Sequence, residues 1–337
     1  MANLTAPKEV KVQLAMKPET TSGVDVFGGT YTTADLINVI SGSVNFTQDA
    51  NEIENKMTAG LLGRAPSLIG KLTGLIEASM WMRGAGVAYT AAVKPELDMV
   101  LRAAGHSAIF GTTGGANWTY QPTETEETFT AYVVVDVPGG SALSFQLVGC
   151  LCSRFTQQTV AGQGLRTDFS IMGAIDERAD ITYVPGVLSP TPTPPVTKGA
   201  AFITDDGSAY TPRLKSIGFD AGLTCAYVDS VNATGAVAGA KIFDRSPTLS
   251  IDPEADREAN SGWWAMLRDG APMNFCTFNV GNTAFNRELF QFGAGGTNRL
   301  LQLVKQGLSM RDGLAALPSV LRATLSASGN DYALKFS

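Results

Sequence analysis

The chain has 337 residues, 44% of them apolar and only 17% charged, with a net charge of −6. That length allows two domains, the apolar share excludes a disordered chain, and the acidic balance argues against binding nucleic acid by neutralising phosphates. One histidine, His106, and the scattered Cys150, Cys152, Cys225 and Cys276 cannot assemble a zinc site, so neither metal nor cofactor is expected.

Residues 1–35 are polar and rich in Gly and Thr, and read as an N-terminal arm outside the core. Met1–Leu14 lacks a signal-peptide core, and no apolar run reaches the about 18 residues of a membrane span, so neither secretion by that route nor membrane insertion is expected. The thiols are expected to be free, in a reducing compartment. A first domain is read at 36–184. Leu36, Ile40, Val44 and Phe46 share a face and suggest a strand, interrupted by Asn38 and Gly42. Residues 47–71 read as a long polar loop, and Leu72–Trp81 as a strand. Lys94-Pro95-Glu96 opens a helix carrying Leu97, Val100, Leu101 and Ala104 on one stripe, and Gly105 stops it. His106 then reads as a cap or surface residue.

The stretch from Phe129 to Gly173 recurs without gaps as Phe285 to Gly329. Gly139-Gly140 matches Gly295-Gly296, Gln146-Leu147-Val148 matches Gln302-Leu303-Val304, and Leu165-Arg166 matches Leu321-Arg322. Each copy reads as a hairpin and a return strand with period-two alternation. The polar positions Gln146, Arg166, Asp168 and Ser170, with Gln302, Arg322, Thr324 and Ser326, define a wet face in each. Residues 185–200 form a Pro/Thr linker, and 201–337 a second domain. There strands are read over Leu214–Val228, a loop over 229–246, and a helix from Asp252-Pro253-Glu254 to Gly270. The fold class is mainly β: two tandem copies of one domain, each with antiparallel sheets and a flanking helix.

Catalytic signatures are missing. There is no GxSxG, the Gly111–Gly115 run has no phosphate-loop lysine, and the acids at Asp252–Glu258 suit a helix start. Trp263-Trp264 reads first as an aromatic helix face buried on its own sheet or on a neighbour, and second as a ligand platform.

Several segments taken in order carry a resemblance. They are Lys17–Asp25, the strand ending in Phe46, Arg64-Ala65-Pro66, the Pro95–Gly105 helix ending in Leu101-Arg102-Ala103-Ala104-Gly105, and Gln146-Leu147-Val148-Gly149. Over most of residues 10–185 the chain resembles the major tail tube proteins of long, non-contractile-tailed bacteriophages. The resemblance implies two orthogonally packed sheets, rings whose inner strands form one barrel, and loops that lock ring to ring. It implies a virion protein, assembled in the bacterial cytoplasm, whose partners are itself and the tail terminator, distal tail and tape measure proteins. DNA would pass through the lumen without specific binding. It places inter-ring or inter-subunit contacts at Asp25, Asn51, Glu52, Glu54, Arg64, Pro66, Arg245, Pro247, Trp263 and Trp264. Two copies per chain imply a trimer acting as a pseudo-hexamer. The alternatives are another tail component of the same fold, such as a distal tail or secretion-type tube protein, or a two-domain β-sandwich binding module.

Overall fold

The computed structural model describes residues 11–53, 67–113, 115–136, 141–186, 192–197, 203–205, 209–210, 212–233, 235–256, 262–270, 275–292, 300–311, 313–324 and 331–337. The first half contains β1 (Val12–Pro18), β2 (Leu36–Ile37), β3 (Asn45–Ile53), β4 (Leu68–Trp81), α1 (Asp98–Ala103), β5 (His106–Gly111), β6 (Asn117–Pro122), β7 (Phe129–Asp136), β8 (Ala142–Val160) and β9 (Arg166–Ile181). The second half contains β10 (Ile203–Asp205), β11 (Ala209–Tyr210), β12 (Leu214–Asp220), β13 (Leu223–Asp229), β14 (Val237–Arg245), β15 (Thr248–Pro253), α2 (Trp263–Asp269), β16 (Phe275–Val280), β17 (Glu288–Phe292), β18 (Leu300–Gln306), β19 (Ser309–Arg311), β20 (Leu314–Ala316), β21 (Ser319–Thr324) and β22 (Ala333–Phe336). The protein is mainly β, as its alternating patterns require.

A large antiparallel sheet runs β3-β4-β9-β8-β12-β15-β21-β18. Its middle strand, β8, is long enough to serve two neighbours on one edge. Ala142–Cys150 pair with β7, and Thr156–Val160 pair with β12. From β7 the sheet continues to β1 and β2. A second sheet runs β11-β10-β16-β17-β22-β6-β5, with the C-terminal strand β22 joining hairpins from the two halves.

The halves follow the same itinerary. A first strand and a second strand pair (β3 with β4, β12 with β15), a short helix follows, and a hairpin enters the second sheet. Then a third and a fourth strand (β8 and β9, β18 and β21) return to the large sheet, the fourth pairing with the second. The residue-by-residue echo does not survive in the register. Arg166 lies opposite Gln158, whereas Arg322 lies opposite Gln302. Phe129 begins β7 in the large sheet, while Phe285 precedes β17 in the second.

One core lies between the sheets and draws on both halves. Phe219 touches Phe155, Phe290, Phe292 and Tyr332, with its ring 4.8 Å from that of Tyr332. Truncating such a residue to Ala costs about 3–5 kcal/mol. Polar seams cross the same boundary. Asn286 accepts from Gly84 N–H at 2.9 Å and donates to Thr193 O at 2.9 Å. Gln157 Nε2 donates to the fully buried Glu288 at 3.1 and 3.2 Å. The 192–197 segment of the Pro/Thr linker is docked: Thr197 N–H donates to Gln163 O, and the Thr159 and Thr197 hydroxyls meet at 2.6 Å.

Several sequence expectations change. Residues 1–35 contain a core strand, since Leu14, Ala15 and Met16 of β1 are fully buried and β1 pairs along β7. The interruptions at Asn38 and Gly42 win over the apolar spacing, so Leu36–Phe46 is not one strand. Instead β3 extends through Thr47–Ile53, which reads as loop because the strand is exposed on both faces and carries no alternation. Asp252-Pro253 ends β15 rather than starting a helix, and α2 covers only Trp263–Asp269.

Candidate assembly surface

Outside an apolar strip at Leu75, Val148, Leu151, Met172 and Ala174, the face of the large sheet turned away from the core is largely polar in both halves. Side chains on this face are Glu77 and Ser79 on β4, Arg166, Asp168 and Ser170 on β9, and Arg154, Thr156 and Gln158 on β8. The row continues through Ser216, Gly218 and Asp220 on β12, Thr248 and Ser250 on β15, Arg322 and Thr324 on β21, and Gln302 on β18. On the other face, Ile76, Phe169, Phe155, Ile217, Phe219, Leu249, Ile251, Leu321 and Leu303 enter the core. The alternation of each strand therefore sets both faces at once.

Charges on this face are mixed. Arg166 Nε bonds Asp168 Oδ1 at 2.8 Å, and its Nη2 reaches Ser79 Oγ at 3.0 Å. Ser79 in turn donates to Asp168. Arg166 is thus paired within its own chain.

Arg166, Asp168, Ser170, Gln302, Arg322 and Thr324 lie together on this face. Ser326 lies outside the described residues. Gln146 is on the same side of β8 but buried, with its Nε2 donating to Ser144 Oγ at 3.0 Å. It lines an open cavity of 510 Å³ with Asp25, Asp176 and Asp180. There Asp25 accepts from Phe27 N–H, Gly28 N–H and the Tyr132 hydroxyl, which folds residues 25–31 over the sheet. Burial, with Asp25 and Glu177 nearby, raises the Asp176 carboxyl above its ordinary value.

Among the expected contact residues, Asn51 and Glu52 are exposed on β3, while Glu54, Arg64 and Pro66 fall outside the described residues. Arg245 is used internally, donating to Gly105 O and Thr123 O at 3.4 and 3.3 Å. Pro247 is buried, its carbonyl accepting from Ala323 N–H. Trp263 is in the core and Trp264 is 56% exposed, so α2 presents one ring, not a pair.

The other chemistry-bearing groups are buried or, at Cys225, half-buried. His106 Nδ1–H donates to Leu101 O at 2.8 Å, and Nε2 accepts from the Tyr332 hydroxyl at 2.6 Å. It caps α1 as the sequence suggests, but from inside the core. Burial lowers its pKa to about 4. Burial pushes Glu288 up to about 8, Cys152 up to about 12 and Cys225 up to about 11. No group of His, Cys, Asp or Glu suited to a metal ion occurs among the described residues.

The eight wet-face positions named from the sequence left out the part of the face on β12, β15 and the end of β8. The alternation of Ser216, Gly218 and Asp220 with Ile217 and Phe219 carries that signal. The chain matches no protein-family model and no curated protein sequence.

Proposed function

We propose that this chain is a structural virion protein that assembles into stacked rings, forming the tail tube of a long, non-contractile-tailed phage. The observation that carries the reading is the way the halves join. At the junction, the third strand of the first half (β8) pairs with the first strand of the second half (β12). The edges left at the two ends are β3, a first strand, and β18, a third strand. A second copy's β3 can therefore meet β18 as β12 meets β8. Eight strands per copy is an even number, so antiparallel alternation continues around the ring. Closure removes both free edges.

Three copies give about 24 strands and, at ~4.8 Å per strand and a tilt of about 40°, a backbone diameter of about 45–50 Å. The polar part of the sheet face, on which Glu77, Asp168 and Asp220 balance Arg154, Arg166 and Arg322, would line the lumen, where DNA slides without a net cationic surface to hold it. Trp263, being in the core, is unsuited to the ligand platform that a binding module would need. Native mass measurement with negative-stain microscopy of the purified protein tests the proposal. Rings of three chains stacked into tubes are expected. Six chains per ring would sink the trimer, and a chain monomeric under all conditions would sink the tube.

A further inference from the structure

Two contacts between the halves differ in kind. The first is apolar and lies outside the core. Beyond Gly222, where φ is +58°, the β13–β14 arm bends out of the sheet and covers Val148, Leu151 and Met172. Gly149 and Gly239 make that crossing close, since a Cβ on Gly149 would lie 2.6 Å from Gly239 Cα.

The second is polar and lies between the sheets. Glu288 opens β17 on the core side of the second sheet, opposite Val280 on β16 and Phe336 on β22. It meets Gln157, which alternation with Phe155 turns inward from β8. The two residues are 0% and 1% exposed. Gln157 Nε2 serves both carboxyl oxygens and, at 3.3 Å, Thr167 Oγ1 on β9. The other end of the amide, Oε1, is buried and accepts no hydrogen bond from any described residue.

An ionised Glu288 fits this place badly. A carboxylate only accepts, so it leaves Oε1 without a donor. It would also be a buried charge, and no cation among the described residues pairs with it. Arg287 points outward to Ser337 Oγ, and Lys335 lies opposite Leu289 on the other face of β22. Arg154, Arg166 and Asp168 stand on the outer face of the large sheet, and Arg83 acts on Glu96. The nearby titratable group is the Tyr89 hydroxyl, which donates to Phe285 O and which burial pushes up to about 12. A proton on Glu288 resolves both faults. The carboxyl gains an O–H donor, and a small rotation of the amide closes a ring of two hydrogen bonds. In that ring Glu288 O–H donates to Gln157 Oε1, and Gln157 Nε2–H donates to the carboxyl C=O. Burial pushes Glu288 up to about 8, so the proton is kept at neutral pH.

We infer that the Gln157–Glu288 contact is a proton-keyed latch between the halves, closed as a neutral acid–amide pair and released when Glu288 loses its proton. Release frees β17 and β22 from the inner face of β8, while the β13–β14 arm keeps its apolar contacts on the outer face. The latch lies within one chain and works whether or not copies assemble.

Infrared spectra of protein carrying isotope-labelled glutamate test the proton. The wild type at pH 7 should show the carbonyl stretch of a protonated glutamic acid that E288Q lacks, and the band should vanish as pH rises through about 8. Hydrogen exchange tests the release. From pH 7 to pH 9 the opening of β17 and β22, corrected for intrinsic rates, should rise about tenfold in the wild type and stay constant in E288Q. β4 and β9 should not follow. A wild-type spectrum at pH 7 without that band, or a pH response shared by E288Q, overturns the latch. A rise spread evenly over every strand overturns it too, because the proton would then govern only global unfolding.

Discussion

The two long hairpins of this protein are the same device in two conditions. β12–β13 with β14–β15 bends at Gly222 and closes on the outer face of the first half, burying Val148, Leu151 and Met172 under its apolar side. β3–β4 runs out past the sheet with Ile53 and Leu68 in water. The strand order around each is alike, so local sequence alone does not make the difference. One hairpin has a neighbouring unit on the side toward which it can close, and the other has only the end of the chain's own sheet. On the ring proposed above, the end of the sheet beside β3–β4 would instead meet a second copy.

The sharpest way to break the comparison is at the crossing. Gly149 has φ +60° and abuts Gly239, so Gly149→Val adds a β-branched residue in the left-handed region and a backbone clash. The cost should be on the order of 5 kcal/mol from strain and overpacking together. Urea unfolding measures it, and hydrogen exchange should show β13–β14 losing protection before β12–β15 does. If protection falls equally throughout, the arm is not a separable layer.

Two seams between the halves come next. Burial raises the folded-state pKa of Glu288 to about 8 from an ordinary 4.5. The unfolded chain therefore releases this proton first, and stability falls as pH climbs from about 4.5 to about 8. The full penalty, roughly 5 kcal/mol, applies above that window. Glu288→Gln should remove the penalty, so the variant should be more stable than wild type at pH 8.5 and nearly equal at pH 4. An equal margin at both values would show that burial of the charge is not the cause.

His106 works in the opposite sense. Its folded pKa is lowered to about 4 from 6.5, so its contribution is complete above about 6.5 and is lost as pH falls toward 4. About 3 kcal/mol should disappear over that window. In the wild type the two slopes oppose one another between about 4.5 and 6.5, so the His106 effect is best read in the Glu288→Gln background. Chemical unfolding there at pH 7 and pH 4 gives the value. A flat profile would mean that the imidazole is not held neutral by its place between Leu101 and Tyr332.

Alternation made the face residues legible wherever a strand is covered on one side only, as at Arg166–Ser170 and Leu321–Thr324. It failed where both sides of a strand are covered. Gln146 has a polar side chain but sits under residues 25–31, and β1 carries its buried residues on both faces. It failed again where neither side is covered, because β3 has no dry face to mark it as a strand. The ordered recurrence of elements was readable; the register was not, because bulges and turn lengths move a pairing without changing which residue types alternate. His106 was legible as a cap, but its partner Tyr332 is far along the chain, and no local pattern links them.

The smallest effect tests whether equivalent arginines in the two halves are in equivalent electrostatic settings. Arg166 is 53% exposed and bonded to Asp168, and an exposed pair of this kind contributes at most about 1 kcal/mol. The position two residues beyond Arg322 is Thr324, so the second half has no carboxylate in that place. Arg166→Ala should lower the melting temperature by about 1–2 °C at low salt, with the loss shrinking as salt screens the charge that Asp168 is left carrying. Arg322→Ala should show little salt dependence of its loss. Equal salt dependence in the two variants would mean that the Arg166–Asp168 pair is geometry without energy, and that the two halves present the same electrostatics to whatever passes the sheet face.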